Sequence, residues 1–243
     1  MLIGLAVATV LAGIILAAVV VADDDDDTAT TTTTTTTSAS TTTTMASTTT
    51  AGGPTTTAAA PGDIDLALYP DLRGTSRFDD PRQLVSAFAT QYLAFDTDVV
   101  VGQFRQGDNR SGEVEVHPPG STAITTILVR QVGDDSWVVV AATTDSIRLD
   151  TPLARTRISS PQPLIGAASA YEGHVDVAVY ADGQNAPAGT TFVTGRGDGQ
   201  LGDFRGQLTF TRPEGATHGL LVLTSANGDD GTSVAAAAIR VRF

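Results

Sequence analysis

Two residue types are missing from this 243-residue sequence: it has no cysteine, and all 14 of its basic residues are arginine. Without cysteine the chain cannot form disulfides, use a thiol nucleophile, bind zinc through sulfur or carry the acylated cysteine of a lipoprotein. The 27 acidic residues give a net charge of −13. A nucleic-acid partner requires a basic face, so we expect none. Arginine without lysine, together with abundant Ala and Gly, is typical of a high-GC bacterial genome.

Charge is also missing from the apolar run Leu2 to Ala22. At about 1.5 Å per residue, a helix of this length spans a hydrocarbon core of about 30 Å. The sequence therefore predicts a single-pass signal-anchor over residues 1–22, with the C-terminal part of the chain extracellular. A cleaved signal peptide is the alternative, since Val20 and Ala22 fit a small-residue cleavage site, although no basic residues precede the apolar run.

Large apolar residues are nearly missing from the next segment, residues 23–62, in which 19 of 40 residues are threonine. Such a segment cannot bury enough surface to offset its ordering entropy, which predicts a disordered Asp/Thr-rich stalk. The acidic run Asp23 to Asp27 is interpreted as a solvated stop after the membrane. Thr-rich tracts with proline resemble O-glycosylated stalks, and an unmodified spacer is the alternative.

The third segment, residues 63–151, predicts a small α+β domain in which one helix packs on an antiparallel sheet. Asp80 and Pro81 are a helix cap followed by a first-turn proline, and apolar residues recur at helical spacing as far as Tyr92. The pattern then changes to the period of two that is typical of half-buried strands. The predicted strands are Gly112 to His117, Ala123 to Val132 and Ser136 to Thr143.

Short strands separated by Gly, Pro and Asp turns fill the last segment, residues 152–243, which predicts an all-β immunoglobulin-like sandwich. In His174 to Tyr180, alternation places Val175, Val177 and Val179 on the buried side. The seven predicted strands are Arg157 to Ser159, Leu164 to Ala170, His174 to Tyr180, Thr190 to Thr194, Phe204 to Phe210, Gly219 to Ser225 and Ala236 to Phe243.

The order of motifs in this segment resembles the bacterial spore germination immunoglobulin-like domain, over about Ile158 to Phe243. The motifs are Ser160-Pro-Gln-Pro-Leu-Ile-Gly-Ala-Ala168, Tyr171-Glu-Gly-His-Val175, Asp182-Gly183 and Ile239-Arg240-Val241. The resemblance implies an envelope-associated β-sandwich without a transferable catalytic motif. A link to germination or sporulation is implied by the resemblance alone. Gly166 and Gly173 are expected to permit a close backbone approach or a turn.

Few residues suit a catalytic or metal site, and we expect no catalytic, cofactor-binding or metal-binding residues. His117, His174 and His218 are the only imidazoles, and none lies in a nucleophile motif. Alternation would place Glu172, His174 and Asp176 on one strand face, a pattern that a solvated face also produces. Asp198 and Asp203, among glycines, suggest a calcium loop, but their spacing matches no EF-hand. Trp137 is expected at a core or rim position.

These observations favour a non-enzymatic, membrane-tethered, extracytoplasmic binding or structural module of the bacterial cell envelope. Its expected partner is an envelope protein or a cell-wall polymer, besides the membrane that residues Leu2 to Ala22 would enter. The alternative is a ligand-sensing or enzymatic envelope protein with its pocket in the 63–151 domain. A concave apolar pocket with inward polar groups in that domain would favour the alternative.

Overall fold

The computed structural model describes residues 60–133, 135–228 and 231–243. The predicted signal-anchor, and the predicted stalk as far as residue 59, lie outside the described residues. No helix in the described part of the chain is both long enough and apolar enough to cross a membrane.

Two α-helices occur in the described residues, both near the beginning. Helix α1 spans Pro61–Leu66 and helix α2 spans Pro81–Tyr92. The α2 prediction is confirmed together with its cap, because the Asp80 carboxylate accepts a 2.8 Å hydrogen bond from the Arg82 amide. Helix α1 was not predicted, since six residues are too few for a periodic pattern.

Twelve strands occur in the described residues. They are β1 (Val100–Val101), β2 (Arg105–Asp108), β3 (Ser111–His117), β4 (Thr125–Gln131), β5 (Trp137–Thr144), β6 (Ile147–Thr151), β7 (Gln162–Ala168), β8 (His174–Ala181), β9 (Gly189–Thr194), β10 (Gly202–Leu208), β11 (His218–Ala226) and β12 (Ser233–Arg242). A single 3₁₀ turn, Tyr171–Gly173, precedes β8.

The strands form antiparallel ladders in one hydrogen-bonded system that bends into layers. Strands β1 and β2 both pair with the edge of β3 that is opposite β4, and β4 is followed by β5. From β5 the pairing continues along two branches, β12-β11-β8-β9 and β6-β7-β10. Residues of both branches contribute to one apolar core, so the two branches are the layers of a β-sandwich.

Strands β11 and β12 are buried on both faces. Successive side chains in a strand point to opposite sides, so the apolar runs Leu220 to Leu223 and Ala235 to Ala238 serve two cores at once. Leu221, Leu223 and Ala237 pack inside the sandwich. The alternate residues pack under α2, and these are Leu220, Val222, Ala236 and Ala238. The Ala236 amide donates to the buried Thr125 hydroxyl at 3.0 Å, which satisfies both groups.

The core beneath α2 joins the two halves of the chain through aromatic contacts. Leu84, Val85 and Phe88 of α2 are fully buried against β3, β4 and β5. Tyr92 meets Tyr180 of β8 edge to face, with ring centroids 5.2 Å apart. Its hydroxyl donates to the Gln184 carbonyl at 3.1 Å, and burial raises the pKa of Tyr92 to about 12. The helix is therefore fixed to both halves.

Two glycines of the family-like motifs have the roles that their positions predict. A Cβ on Gly166 would lie 2.1 Å from the Arg148 carbonyl oxygen of the neighbouring strand β6. Gly173 has φ +74°, and a Cβ there would lie 2.7 Å from the Gly195 carbonyl oxygen. Any larger residue would push these segments apart.

The sandwich has the predicted β-rich character, with some differences in detail. Val175, Val177 and Val179 are buried as predicted, at 0–1% exposure. Arg157 to Ser159, predicted as a strand, instead forms an isolated parallel bridge between Arg157 and Arg242. Strand β6 was not predicted. It pairs with β7, and Ile147 contributes to the sandwich core. The division between residues 151 and 152 stays a prediction about separately folding domains.

Because β11 and β12 serve both cores, a cavity in the sandwich should destabilise the half under α2 as well. We expect Leu223→Ala to cost about 2–5 kcal/mol and to lower Tm in proportion. Trp137, the single tryptophan, lies on β5 beside Phe104 and reports on the other half by its fluorescence. Its thermal transition should shift together with the far-UV circular dichroism transition.

The control for this measurement is Phe192→Ala, on the outer face of β9, where the ring is 60% exposed. It should leave both transitions close to those of the parent. A Trp137 transition that stayed in place in Leu223→Ala would show that the halves unfold independently.

Candidate functional site

The largest group of interacting charged side chains in the described residues lies where the segment after α1 meets the ends of β8, β11 and β12. We call it the ionic cluster, and it consists of Asp65, Arg73, Asp182, Thr217, His218, Arg240 and Arg242. Its members come from distant parts of the sequence, so only the folded sheet brings them together. It contains a buried ion pair and the only histidine–carboxylate contact that joins separate elements of the described chain.

Arg240 and Asp182 form the buried centre of this cluster. Their side chains are 3% and 8% exposed, and both guanidinium Nη atoms of Arg240 donate to the carboxylate of Asp182. Nη2 also donates to the Ile64 carbonyl of α1 at 2.7 Å. Arg73 adds a second cation, with Nη1 3.0 Å from Asp182. A buried charge requires this kind of compensation to be tolerated.

His218 connects the centre of the cluster to α1. Its Nε2 lies 2.7 Å from the Asp65 carboxylate, and its Nδ1 lies 2.9 Å from the Thr217 hydroxyl and 3.2 Å from Nη2 of Arg73. A guanidinium can only donate, so Nδ1 accepts and Nε2 carries the proton that is donated to Asp65. This assigns the neutral tautomer with the proton on Nε2. Both ring nitrogens are thereby occupied.

The hydrogen bond from His218 holds the pKa of Asp65 below its ordinary value of 3.8, and the charges of Arg242 and Arg240 act in the same direction. Partial burial opposes this effect. Arg242 lies 3.9 Å from the same carboxylate. Asp65 thus stays ionised and anchors α1 to the ends of β11 and β12.

Beside the cluster lies a cleft of about 380 Å³ with Arg73, Asp182 and His218 on its wall. Thr217, His218 and Asp65 follow one another in the order hydroxyl, imidazole, carboxylate. Each ring nitrogen of His218 has hydrogen-bond partners: Nε2 contacts Asp65, and Nδ1 contacts Thr217 and Arg73. These contacts join α1 and the segment after it to the start of β11.

A second concave surface, which we call the sheet groove, lies on the face of β2 to β5 that points away from α2. Its volume is about 490 Å³. Leu128 and Val140 form an apolar floor, while Arg105, Glu113 and Arg130 supply charges at the rim. Arg105 pairs with Glu113 at 3.3 Å and also with Glu115. The groove is open and combines apolar area with both signs of charge, as protein-binding surfaces do.

The space between α2 and its sheet, where the alternative function would place a pocket, is filled by side chains. Phe88 and Leu84 are fully buried there, and the rings of Tyr69, Phe78 and Tyr92 close its end, with centroids 5.6–5.9 Å apart. The cavities in this half lie elsewhere: one is the open groove on the other face of the sheet, and the other is a cleft of about 380 Å³ whose lining includes Phe95, Asp98 and Val99.

The three histidines have different surroundings. His117 ends β3 with Nδ1 2.9 Å from the Pro118 carbonyl, as a residue at a turn. His174 is exposed on β8, where its ring stacks on Phe192 at 5.0 Å and contacts Asp176 at 3.0 Å. His218 was expected on a strand face or at a turn. It begins β11, but its side chain is 15% exposed inside the ionic cluster.

The fold does not bring together the acidic residues that were considered as metal ligands. Glu172 lies in the 3₁₀ turn with φ 51°, outside the strand that carries His174 and Asp176, so the alternation argument does not extend to it. Asp198 is engaged by Arg196, whose hydrogen bond lowers the pKa of that carboxyl. Within the described ranges no three His, Asp or Glu side chains lie close enough to hold a metal ion.

The ionic cluster was not predicted from the sequence, although one signal for it was present. Arg240 interrupts the apolar run from Val234 to Val241 in a strand that must be buried. A charged residue at such a position requires a buried counter-ion. The Asp182-Gly183 motif supplied the matching carboxylate, but only the fold shows that the two motifs meet.

Residues 146–232 match the model of the family described as the immunoglobulin-like domain of bacterial spore germination. This part of the protein is therefore an immunoglobulin-like domain of the spore germination type, as the motifs predicted. The match covers β6 to β11, somewhat more than a third of the chain. No curated protein and no solved structure matches the chain.

The buried pair of the ionic cluster predicts a large stability effect. Asp182→Asn leaves Arg240 buried without its carboxylate, and we expect a loss of about 3–5 kcal/mol in the free energy of unfolding. Combining Asp182→Asn with Arg240→Met removes the stranded charge, so the double variant should lose less than the sum of the single losses. Urea denaturation measures all three, with the exposed Asp203→Asn as control. Additive losses would contradict the pairing.

The depressed pKa of Asp65 predicts how stability depends on pH. A carboxyl whose pKa is lower in the folded state contributes stability above its ordinary pKa, and this is lost as pH falls through the folded value. Asp65→Asn should therefore be less stable at pH 7, by about 1 kcal/mol or less because the group is partly exposed. The difference from the parent should shrink as pH falls through the folded pKa of Asp65, which lies below 3.8, and vanish below that pKa.

Denaturation curves between pH 7 and acid pH test this expectation, with Asp98→Asn on an exposed loop as the matched control. A difference that persisted at low pH would show that Asp65 acts through packing and not through its charge.

Proposed function

With an immunoglobulin-like domain of the spore germination type as the starting point, we propose that the protein is a non-enzymatic binding or structural module of the bacterial cell envelope. It is tethered to the membrane by residues 1–22, and residues 60–243 lie outside the cell. Its partner is an envelope protein or a cell-wall polymer. Participation in germination or sporulation is part of the proposal and is supported by the domain type.

The observation that carries this proposal is the combination of filled cores with an open groove on the outer face of the sheet. The cores on either side of β11 and β12 are occupied by side chains. The sheet groove is instead accessible from outside, with Leu128 and Val140 on its floor. An open, shallow, mixed surface suits a macromolecule better than a small ligand, which prefers an enclosed cavity.

The charge pattern of the groove also favours a macromolecular partner. Arg105 is held by Glu113 and Glu115, whereas Arg130 on the opposite rim is exposed. Exposed arginine beside apolar area is enriched in protein interfaces.

Membrane tethering is tested by fractionating cells that express the full chain. The parent should sediment with membranes, and protease added after removal of the outer layers should digest the extracytoplasmic part. The matched variant carries Leu11→Arg and Ile14→Arg, and each charge at a helix centre disfavours insertion by about 2.5–3.5 kcal/mol. It should become soluble or fail to be exported. Soluble parent protein beginning at Asp23 would show a cleaved signal instead.

Binding through the groove is tested by site-specific crosslinking, since the chain has no cysteine of its own. Thr126→Cys places a photoreactive label on the strand face that carries Leu128, and Thr190→Cys places the same label on β9, outside the groove. We expect discrete crosslinked products from Thr126→Cys in intact cells, reduced at least tenfold by Arg130→Glu. Equal products from both positions, or none from either, would contradict the proposed surface.

A further inference from the structure

A small basic surface stands out in this acidic protein, next to the point where the chain enters the fold. We call it the arginine patch, and it consists of Leu153, Arg155, Arg157 and Arg242. Arg157 and Arg242 are partners in a parallel bridge, so their side chains leave the same face of the sheet. Arg155 lies two residues earlier in the turn that precedes this bridge. The patch thus gathers three of the 14 arginines.

Two of these arginines have no counter-ion. Within residues 60–133, 135–228 and 231–243, the side chains of Arg155 and Arg157 make no ion pair and no hydrogen bond, and both are exposed. Arg242 has only Asp65, at 3.9 Å. Leu153 is 66% exposed, the highest exposure of any large apolar residue described. Unpaired guanidinium groups beside a projecting leucine are suited to an anionic surface with an apolar layer beneath it.

The backbone of the patch is fixed in an unfavourable conformation. Arg155 has φ +63°, a region where glycine is strongly preferred. The conformation is maintained by hydrogen bonds on both sides: the Arg155 amide donates to the Arg240 carbonyl at 2.6 Å, and the Thr156 hydroxyl donates to the Leu153 carbonyl at 2.7 Å. Strain of this kind at a large charged residue, where glycine would fit better, points to a role for the side chain.

The position of the patch relative to the tether indicates its partner. Asp65 of α1 contacts Arg242, so the first described helix, which follows the predicted stalk, lies against the patch. On the proposed topology the other end of that stalk is in the membrane. Only 33 residues separate Asp27 from Pro61. The patch therefore lies at the end of the fold that is joined to the proposed tether.

We propose that the arginine patch docks on the phosphate groups of anionic lipids in the membrane to which the chain is tethered, with Leu153 entering the headgroup layer. This proposal rests on the tethering proposed above. Arginine binds phosphate oxygens in a bidentate fashion, and an anionic leaflet attracts cations within about 10 Å of its surface. Docking fixes the orientation of the immunoglobulin-like domain relative to the bilayer.

The experiment uses the full chain in vesicles of phosphatidylcholine, with or without phosphatidylglycerol, that also carry a nitroxide-labelled quencher lipid. A single fluorophore is attached at Ala154→Cys, inside the patch. Its quenching should be several-fold stronger in vesicles with phosphatidylglycerol and should weaken at high salt, because salt screens the attraction. A fluorophore at Thr190→Cys, on β9, is the control and should not respond to the lipid composition.

Arg155→Gly and Arg157→Gln remove the charges of the patch without touching a core. Glycine suits the backbone at 155, so Arg155→Gly should keep or raise Tm, which separates loss of docking from loss of fold. The part of the quenching that depends on phosphatidylglycerol gives an apparent affinity of the patch for the lipid surface. Each substitution should lower this apparent affinity about fivefold. Unchanged quenching in the double variant would overturn the proposal, as would quenching that is absent in both vesicle types.

Flotation in pure phosphatidylcholine distinguishes failure of the tether from failure of the patch. A chain that floats there but shows no effect of phosphatidylglycerol is tethered without docking. A chain that floats only with phosphatidylglycerol, and not after the two arginine substitutions, docks without a tether. A third outcome is equal quenching in both vesicle types. If this quenching is lost when Asp23 to Asp27 are replaced by Asn, the acidic run and not lipid occupies the patch.

Discussion

Burial of both faces of β11 and β12 is the constraint on which the rest of the structure depends. A strand with one solvent-exposed face alternates apolar and polar residues. Strands β11 and β12 instead carry apolar runs, because each of their faces packs against a core. The sandwich closes on one side and α2 closes on the other. A change in the packing of either core moves a strand that the other core also uses. The immunoglobulin-like domain and the α+β half are therefore coupled through β11 and β12.

The ionic cluster follows from the same constraint. Arg240 lies on the face of β12 that carries Ala236 and Ala238, at the point where the core under α2 ends and the segment around α1 begins. A charged residue at the end of a strand that is buried on both faces needs a counter-charge or hydrogen bonds from neighbouring elements. The end of β8 supplies the Asp182 carboxylate, and α1 supplies the Ile64 carbonyl. The hydroxyl, imidazole and carboxylate of Thr217, His218 and Asp65 form the outer part of the same cluster and link α1 to the start of β11.

Sequence patterns predicted local structure well and long-range assembly poorly. The helix from Pro81, the hairpin of β4 and β5, and six of the seven predicted sandwich strands follow from capping residues, turns and periodicity, which are local signals. The sharing of β11 and β12 could not be predicted, because the run Ala235 to Ala238 fits a buried strand in any sheet. The ionic cluster was missed for the same reason: His218, Asp65 and Asp182 are each unremarkable among their sequence neighbours and become a group only through the register of distant strands.

The two strands that complete both cores are also the last two elements of the described fold, and this has a consequence for biosynthesis. The ribosome synthesises α2 and β3 to β10 before the segment 218–242, so neither core can be completed until that segment is available. Until then the apolar residues that pack against β11 and β12 stay exposed, and exposed apolar surface promotes aggregation. A product truncated before β11 would lack the two strands that both cores share.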